Sequence, residues 1–138
     1  MSRTPFQQPS CCRVLLVEDN ADAAEVTALF IGASGLEVLI ASSGQDALEI
    51  AGTFHPEIVL CDLTLPDMSG LDVLQAMRSL ESIKGALLVI FSARSERDLG
   101  LLERTVDPSA VDVFLSKPIT REALDMLLSL LHGERRRA

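Results

Sequence analysis

Ile58 to Leu80 reads IVLCDLTLPDMSGLDVLQAMRSL. It opens on an unbroken apolar run, Ile58–Cys61, and meets a carboxylate at Asp62. A loop containing Pro66 and Gly70 follows, and then Val73, Ala76, Met77 and Leu80 recur at i, i+3, i+4 and i+7. An apolar run without polar alternation suits a strand buried on both faces, the habit of a parallel sheet. The spacing after it suits a helix packed on that sheet. The same strand-then-helix pattern repeats along the chain. Val14–Val17, Val38–Ala41, Leu87–Phe91 and Val113–Leu115 are predicted strands, the last one interrupted at its start by Asp112. Helical spacing follows at Val26, Leu29, Phe30 and Ala33, at Ala47, Ile50, Ala51 and Phe54, and at Ala123, Met126, Leu127 and Leu130. Asp19 or Asn20 can cap the first helix and Gly35 can end it; Thr120 can cap the last, with Glu122 in its first turn. Ser95–Val106 carries Leu99, Leu102 and Val106, but Gly100 inside it costs about 1 kcal/mol relative to Ala. Five βα units with short loops and right-handed crossovers give an α/β fold. It is a doubly wound, five-stranded parallel sheet with helices on both faces.

The chain has 138 residues, a length that fits one domain. Apolar residues make up 48% and charged residues 23%, which is globular composition and too apolar for disorder. The formal net charge of -8 argues against a general nucleic-acid-binding surface, which needs basic excess. With no Trp and no Tyr, platforms for base stacking are poorly supplied. Cys11, Cys12 and Cys61 make neither a disulfide framework nor a zinc site, and His55 and His132 stand alone, so reduced thiols are expected. Met1–Ser10 lacks the apolar stretch of a signal peptide, and no run is long enough to span a bilayer. The expected location is the cytoplasm, with no membrane contact. Residues 1–12 read as a flexible N-terminal arm and 13–132 as the folded domain. Residues 133–138 read as a tail whose arginines complement a helix C-terminus.

In an open parallel sheet, ligands bind beyond the carboxyl ends of the strands, where the strand order reverses. Four of the five predicted strands deliver a charged or hydroxyl group to that edge: Glu18 and Asp19, Asp62, Ser92, and Ser116 with Lys117. The second delivers only Ser42, Ser43 and Gly44, which is sensible for an edge strand. In the order 2-1-3-4-5, strands one and three flank the switch point, so Glu18, Asp19 and Asp62 face one another there. Three carboxylates in one crevice repel, and a cation must join them or one must protonate. Mg2+ is the plausible cation, a hard ion held by carboxylates, waters and a substrate phosphate. Lys117 adds a point charge for a phosphoryl oxygen and Ser92 a hydroxyl donor. Together they describe a phosphoryl-binding pocket with a carboxylate nucleophile. Singly, each of these residues reads as an ordinary cap, turn or surface group; their convergence on one edge is what carries the reading.

The elements VLLVEDN (14–20), DLTLPDMSGLDVL (62–74), IFSA (90–93) and FLSKPI (114–119) resemble the receiver domain of two-component response regulators. The resemblance spans about residues 13 to 132 and implies the flavodoxin-like (βα)5 fold. It implies that Asp62 is the phosphoacceptor. Asp19 would touch Mg2+ directly and Glu18 would act through water, with the backbone carbonyl of Thr64 as a further ligand. Lys117 would bind the phosphoryl group beside a peptide bond to Pro118 that the family usually has in cis. Ser92 fits the switch hydroxyl, Ala93 the small residue that leaves room for the phosphoryl group, and Phe114 the aromatic switch position. Gly70 fits the glycine that opens the third helix. Leu65 stands where Met is commoner, Ala110 and Val111 replace the usual Gly-Ala, and the segment from Ser92 to Lys117 is somewhat longer than usual.

The implied function is a phosphorylation-dependent switch and not an enzyme. It would take a phosphoryl group from a sensor histidine kinase or a histidine phosphotransfer protein, and then bind a downstream target protein differently. No effector domain is expected after residue 132 and no direct nucleic-acid contact. An Asp-nucleophile phosphohydrolase would carry a second Asp two residues after the nucleophile, where this chain has Thr64. A pseudo-receiver independent of phosphorylation would have no need of Asp62, Asp19, Ser92 and Lys117 together. Asp67, Asp72, Asp98, Asp107 and Asp112 are expected to be solvated and without a role, and Cys61 to be a small core residue.

Overall fold

The computed structural model of the chain describes residues 12–106 and 109–137. Residues 1–11 of the expected arm, Cys11 among them, and Asp107 lie outside the described residues. The elements are β1 (Arg13–Val17), α1 (Ala21–Ala33), β2 (Glu37–Ala41), α2 (Gly44–Phe54), β3 (Ile58–Cys61) and α3 (Gly70–Arg78). After a short 3-10 turn at Glu81–Ile83 come β4 (Leu87–Ser92), α4 (Glu96–Glu103), β5 (Val113–Ser116) and α5 (Arg121–Arg137). The strands form one parallel sheet in the order β2-β1-β3-β4-β5.

Side chains alternate across a strand, so an unbroken apolar run feeds two cores at once. Leu15, Val17, Val59, Cys61, Leu88 and Ile90 face Ala47 and Ala51 of α2 and Val73, Leu74 and Met77 of α3. Val14, Leu16, Ile58, Leu60, Val89 and Phe91 face Ala24 and Ile31 of α1 and Leu124, Leu127 and Leu131 of α5. Helix starts are capped by short polar side chains, each satisfying an otherwise unpaired amide. Asn20 Oδ1 accepts from the Ala23 N–H at 2.9 Å and the Thr120 hydroxyl from that of Ala123 at 3.0 Å. Ser43, Ser69 and Ser95 cap α2, α3 and α4 in the same way.

Five expectations are corrected. In α1 the buried face is Ala24 and Ile31, while Val26 and Leu29 are 68% and 67% exposed. This helix is apolar nearly all round, so two faces satisfy the same spacing and only packing chooses between them. In α5 the buried stripe is Leu124, Leu127 and Leu131, with Met126 and Leu130 exposed. That helix also continues through Arg137, past the point where a tail was expected. Cys12, assigned to the arm, is buried in the α1–α5 core, and its carbonyl accepts from the Glu37 N–H at 3.0 Å. Asp112 is not a bystander. Its Oδ2 accepts from the Leu88 N–H at 2.8 Å and from Arg78 at 2.9 Å, and its own N–H donates to the Leu88 carbonyl at 2.8 Å.

Candidate functional site

Glu18, Asp62 and Lys117 each follow the last residue of a strand. The sheet ladder continues one step beyond each strand and so aims them. The Glu18 N–H donates to the Ala41 carbonyl at 2.9 Å, the Asp62 N–H to Val17 at 2.9 Å, and the Lys117 N–H to Ser92 at 2.7 Å. Carboxylate oxygens of Glu18, Asp19 and Asp62 consequently lie within 4.8 Å of one another. Glu18 is buried and Asp19 is exposed.

Lys117 reaches into this group. Its ammonium donates to Asp62 Oδ2 at 3.3 Å and to Glu18 Oε1, and it stands 5.6 Å from the centre of the Phe91 ring. Burial works to lower the Lys117 pKa, but the hydrogen bonds and charges of Glu18 and Asp62 outweigh it and hold it above its ordinary value. The second Glu18 oxygen, Oε2, accepts from the Asn20 N–H at 3.2 Å, so both oxygens of Glu18 have protein partners. Burial, followed by the charges of Asp62 and Glu18, pushes the Cys61 thiol far up, which keeps it protonated and unreactive. The Lys117–Pro118 peptide bond is cis, as the resemblance implied.

Ser92, at the end of β4, is buried, and its hydroxyl oxygen accepts from the Arg94 N–H at 3.2 Å. Ala93 is exposed beside it. Phe114 sits lower on β5, opposite Ile90, and packs half-buried against the α2–α3 core. It also borders a hollow lined by Glu96, Leu99, Gly100 and Glu103. Thr64 lies in the loop after β3, bridged antiparallel to Ser69. The loop closes where the Gly70 N–H donates to the Leu63 carbonyl at 2.7 Å. A Cβ on Gly70 would stand 2.0 Å from the Asp62 carbonyl oxygen, so the start of α3 can approach the site only without a side chain.

The residues singled out in the sequence therefore gather at one edge, with Phe114 further back along its strand. Two residues near the site make bonds that no sequence pattern announced. Ser116 donates from its hydroxyl to the Arg94 carbonyl at 3.1 Å and so tethers the loop after Ser92. Asp67, expected to be solvated and idle, accepts from the Gly44 N–H at 2.8 Å and the Gln45 N–H at 2.9 Å, at the start of α2. Those amides hold the Asp67 carboxyl below its usual range. Its partners lie more than twenty positions away, beyond any local motif.

The donor set fits Mg2+: converging hard carboxylate oxygens, one of them on an exposed residue. No helix among the described residues is long and apolar enough to cross a membrane.

A family model described as the response regulator receiver domain matches residues 14–129. The polar-differentiation response regulator DivK of Brucella ovis is 30% identical over 107 residues, covering 78% of this chain and 85% of that protein. The cell cycle transcriptional regulator CtrA of Caulobacter vibrioides is 30% identical over 126 residues, covering 91% of this chain and 51% of CtrA. The chain thus spans about half the length of CtrA. A solved CheY-like receiver domain from Methylobacillus flagellatus is similar at 29% identity and a TM-score of 0.74, over 88% of this chain and 99% of that one. The response regulator TrrA of Thermotoga maritima, solved in complex with Mg2+ and BeF, is 25% identical with a TM-score of 0.71, over 87% and 98% of the two chains.

Proposed function

The chain belongs to the response regulator receiver domain family, and on that premise we propose that Asp62 is its phosphoacceptor and Lys117 its phosphoryl-binding cation. Receiver domains of two-component systems act as phosphoacceptor switches, and the fold is theirs. The observation that carries the residue assignment is the bond from Lys117 to Asp62, within a cluster that also holds Glu18 and Asp19.

Asp19, Asp62 and the Thr64 carbonyl would hold Mg2+, and Glu18 would act through water, since both of its oxygens are already engaged. When bound, the ion neutralises phosphoryl charge beside the acids. An Asp62 oxygen attacks the phosphorus of a phosphohistidine donor; the P–N bond breaks and an acyl phosphate forms. Lys117 binds one phosphoryl oxygen. Ser92 can donate its hydroxyl proton to another while still accepting from Arg94. Drawing Ser92 inward would pull the 93–94 loop and open space for Phe114. Hydrolysis of the acyl phosphate resets the switch. With Thr64 where a phosphohydrolase would have its acid, turnover of phosphomonoesters is not expected.

The donor would be a sensor histidine kinase or a histidine phosphotransfer protein in the cytoplasm. Next to Lys117 and Pro118 the surface opens into an apolar hollow formed by Ala23, Val26 and Thr27 of α1. A donor helix seated there would bring its phosphohistidine to the acid cluster. The downstream target is another protein; a net charge of -8 argues against this domain gripping DNA itself.

The test is incubation with acetyl phosphate and Mg2+. One hydroxylamine-labile phosphoryl group should appear on Asp62, be absent in Asp62→Asn, and be strongly reduced in Asp19→Asn or with excess chelator. Stable labelling of a Ser or Thr in the wild-type protein would overturn the assignment.

A further inference from the structure

The loop from Leu63 to Ser69 is tied at its base by the Thr64–Ser69 bridge and the Gly70-to-Leu63 hydrogen bond. Its tip is tied to something else. The two Asp67 oxygens divide between successive amides, Oδ1 on Gly44 and Oδ2 on Gln45, at 2.8 and 2.9 Å. These are orphan donors at the start of α2, where a helix has no internal acceptors to offer. Ser43, the residue that caps α2 from within, serves only the next amide, that of Asp46, at 3.1 Å. Met68 completes the joint. Its side chain lies so close to Gly44 that a Cβ there would fall 2.4 Å from Met68 Cγ and 2.9 Å from Val73 Cγ2. The absence of a side chain at Gly44 and the carboxylate at Asp67 thus serve one contact between α2 and the loop.

We propose that Asp67 is a positioning residue for the divalent-cation site, pinning the loop that carries the Thr64 carbonyl to the N-terminus of α2. This rests on the assignment above of the Thr64 carbonyl as a metal ligand. Asp67 itself touches no ion. It acts on a backbone carbonyl, which has no side-chain rotamer to adjust and can be aimed only by aiming its loop. Pinned at the base alone, the loop would keep its bridge but lose the constraint on its tip, and the Thr64 carbonyl would sample a wider range of orientations. Losing a group that orients a metal ligand without touching the metal typically costs about 10- to 100-fold in metal affinity.

The test is a Mg2+ titration followed by amide chemical shifts of Asp62, Leu63 and Thr64, because the chain lacks Trp and Tyr for intrinsic fluorescence. Asp67→Asn keeps one acceptor and loses the other, and should raise the Mg2+ dissociation constant about tenfold. Gly44→Ala leaves Asp67 intact but displaces Met68 and Val73, and should raise it in the same direction. If Asp67 only capped α2, both variants would melt earlier yet bind Mg2+ as the wild type does, and that result overturns the proposal. If the wild-type amides do not respond to Mg2+ at all, the metal reading itself falls, and this proposal with it. If one variant does not fold, the other still decides.

Discussion

Lys117 answers to two acids and a ring at once. Its partners Glu18 and Asp62 hold its pKa above the ordinary 10.5 despite partial burial. The sign follows from linkage: a cation with a raised folded-state pKa stabilises fully below its unfolded value and loses that contribution as pH climbs through the folded value. In urea unfolding without Mg2+, Lys117→Met should cost about 1–3 kcal/mol at neutral pH, because Glu18 is left buried and uncompensated. A residual exposure of 22% at Lys117 keeps the loss below that of a fully buried pair. The difference between wild type and variant should stay constant through the neutral range and shrink above pH 10.5. Added Mg2+ should narrow it at neutral pH. A pH-independent difference, extending past the alkaline limit, would show that Lys117 acts through packing of its stem.

At the scale of elements, α1 is the helix whose role differs most from its pattern. Ala24 and Ile31 turn inward to the core, and Val26 turns out beside Lys117. On the proposed reading, Val26, 68% exposed beside Lys117 and Pro118, would be a contact for the phosphohistidine donor. Val26→Asp should therefore leave labelling by acetyl phosphate unchanged, since that donor needs only the acid cluster. It should lower kcat/KM for transfer from a phosphohistidine protein about tenfold, a central contact residue's share. Stability should move by no more than about 0.5 kcal/mol, as expected for an exposed position. Equal loss with both donors would instead locate the defect in the chemistry.

Across the whole molecule, the proposed phosphoryl site sits at the carboxyl edge of the sheet while the opposite edge is held by its own polar joint. Arg78 of α3 reaches across to Asp112 and to the Ser109 carbonyl, and Asp112 exchanges two hydrogen bonds with Leu88. This joins α3 to β4 and to the start of β5. Asp112→Ala strands the Leu88 amide and should cost about 1–3 kcal/mol, seen as a lower urea midpoint at unchanged slope. Asp112→Asn should cost less, because its amide oxygen can still accept from Leu88. Phosphorylation of Asp62 should survive in both, since the joint lies at the far end of the strands. Loss of labelling in a folded Asp112→Asn would tie the two edges together.

The sequence by itself determined the βα alternation, the strand ends and the residues that crowd them. Each of those depends on local pattern: an unbroken apolar run implies burial on both faces, and the group that follows it must emerge at the same edge. Ile58–Cys61 followed by Asp62 was legible for that reason, and so were Glu18, Ser92 and Lys117. The tertiary structure decided what local pattern leaves degenerate. Val26 with Leu29 and Ala24 with Ile31 each fit a helical repeat, so only the fit against β1 and α5 could say which pair is buried. Gly133–Arg137 belongs to a helix that its composition does not announce. Asp67 and Asp112 look like solvated acids because their partners, the amides of Gly44, Gln45 and Leu88, are backbone groups left unpaired by distant elements. A backbone amide has no letter in the sequence, and its need for an acceptor exists only once the helix or strand that exposes it has formed.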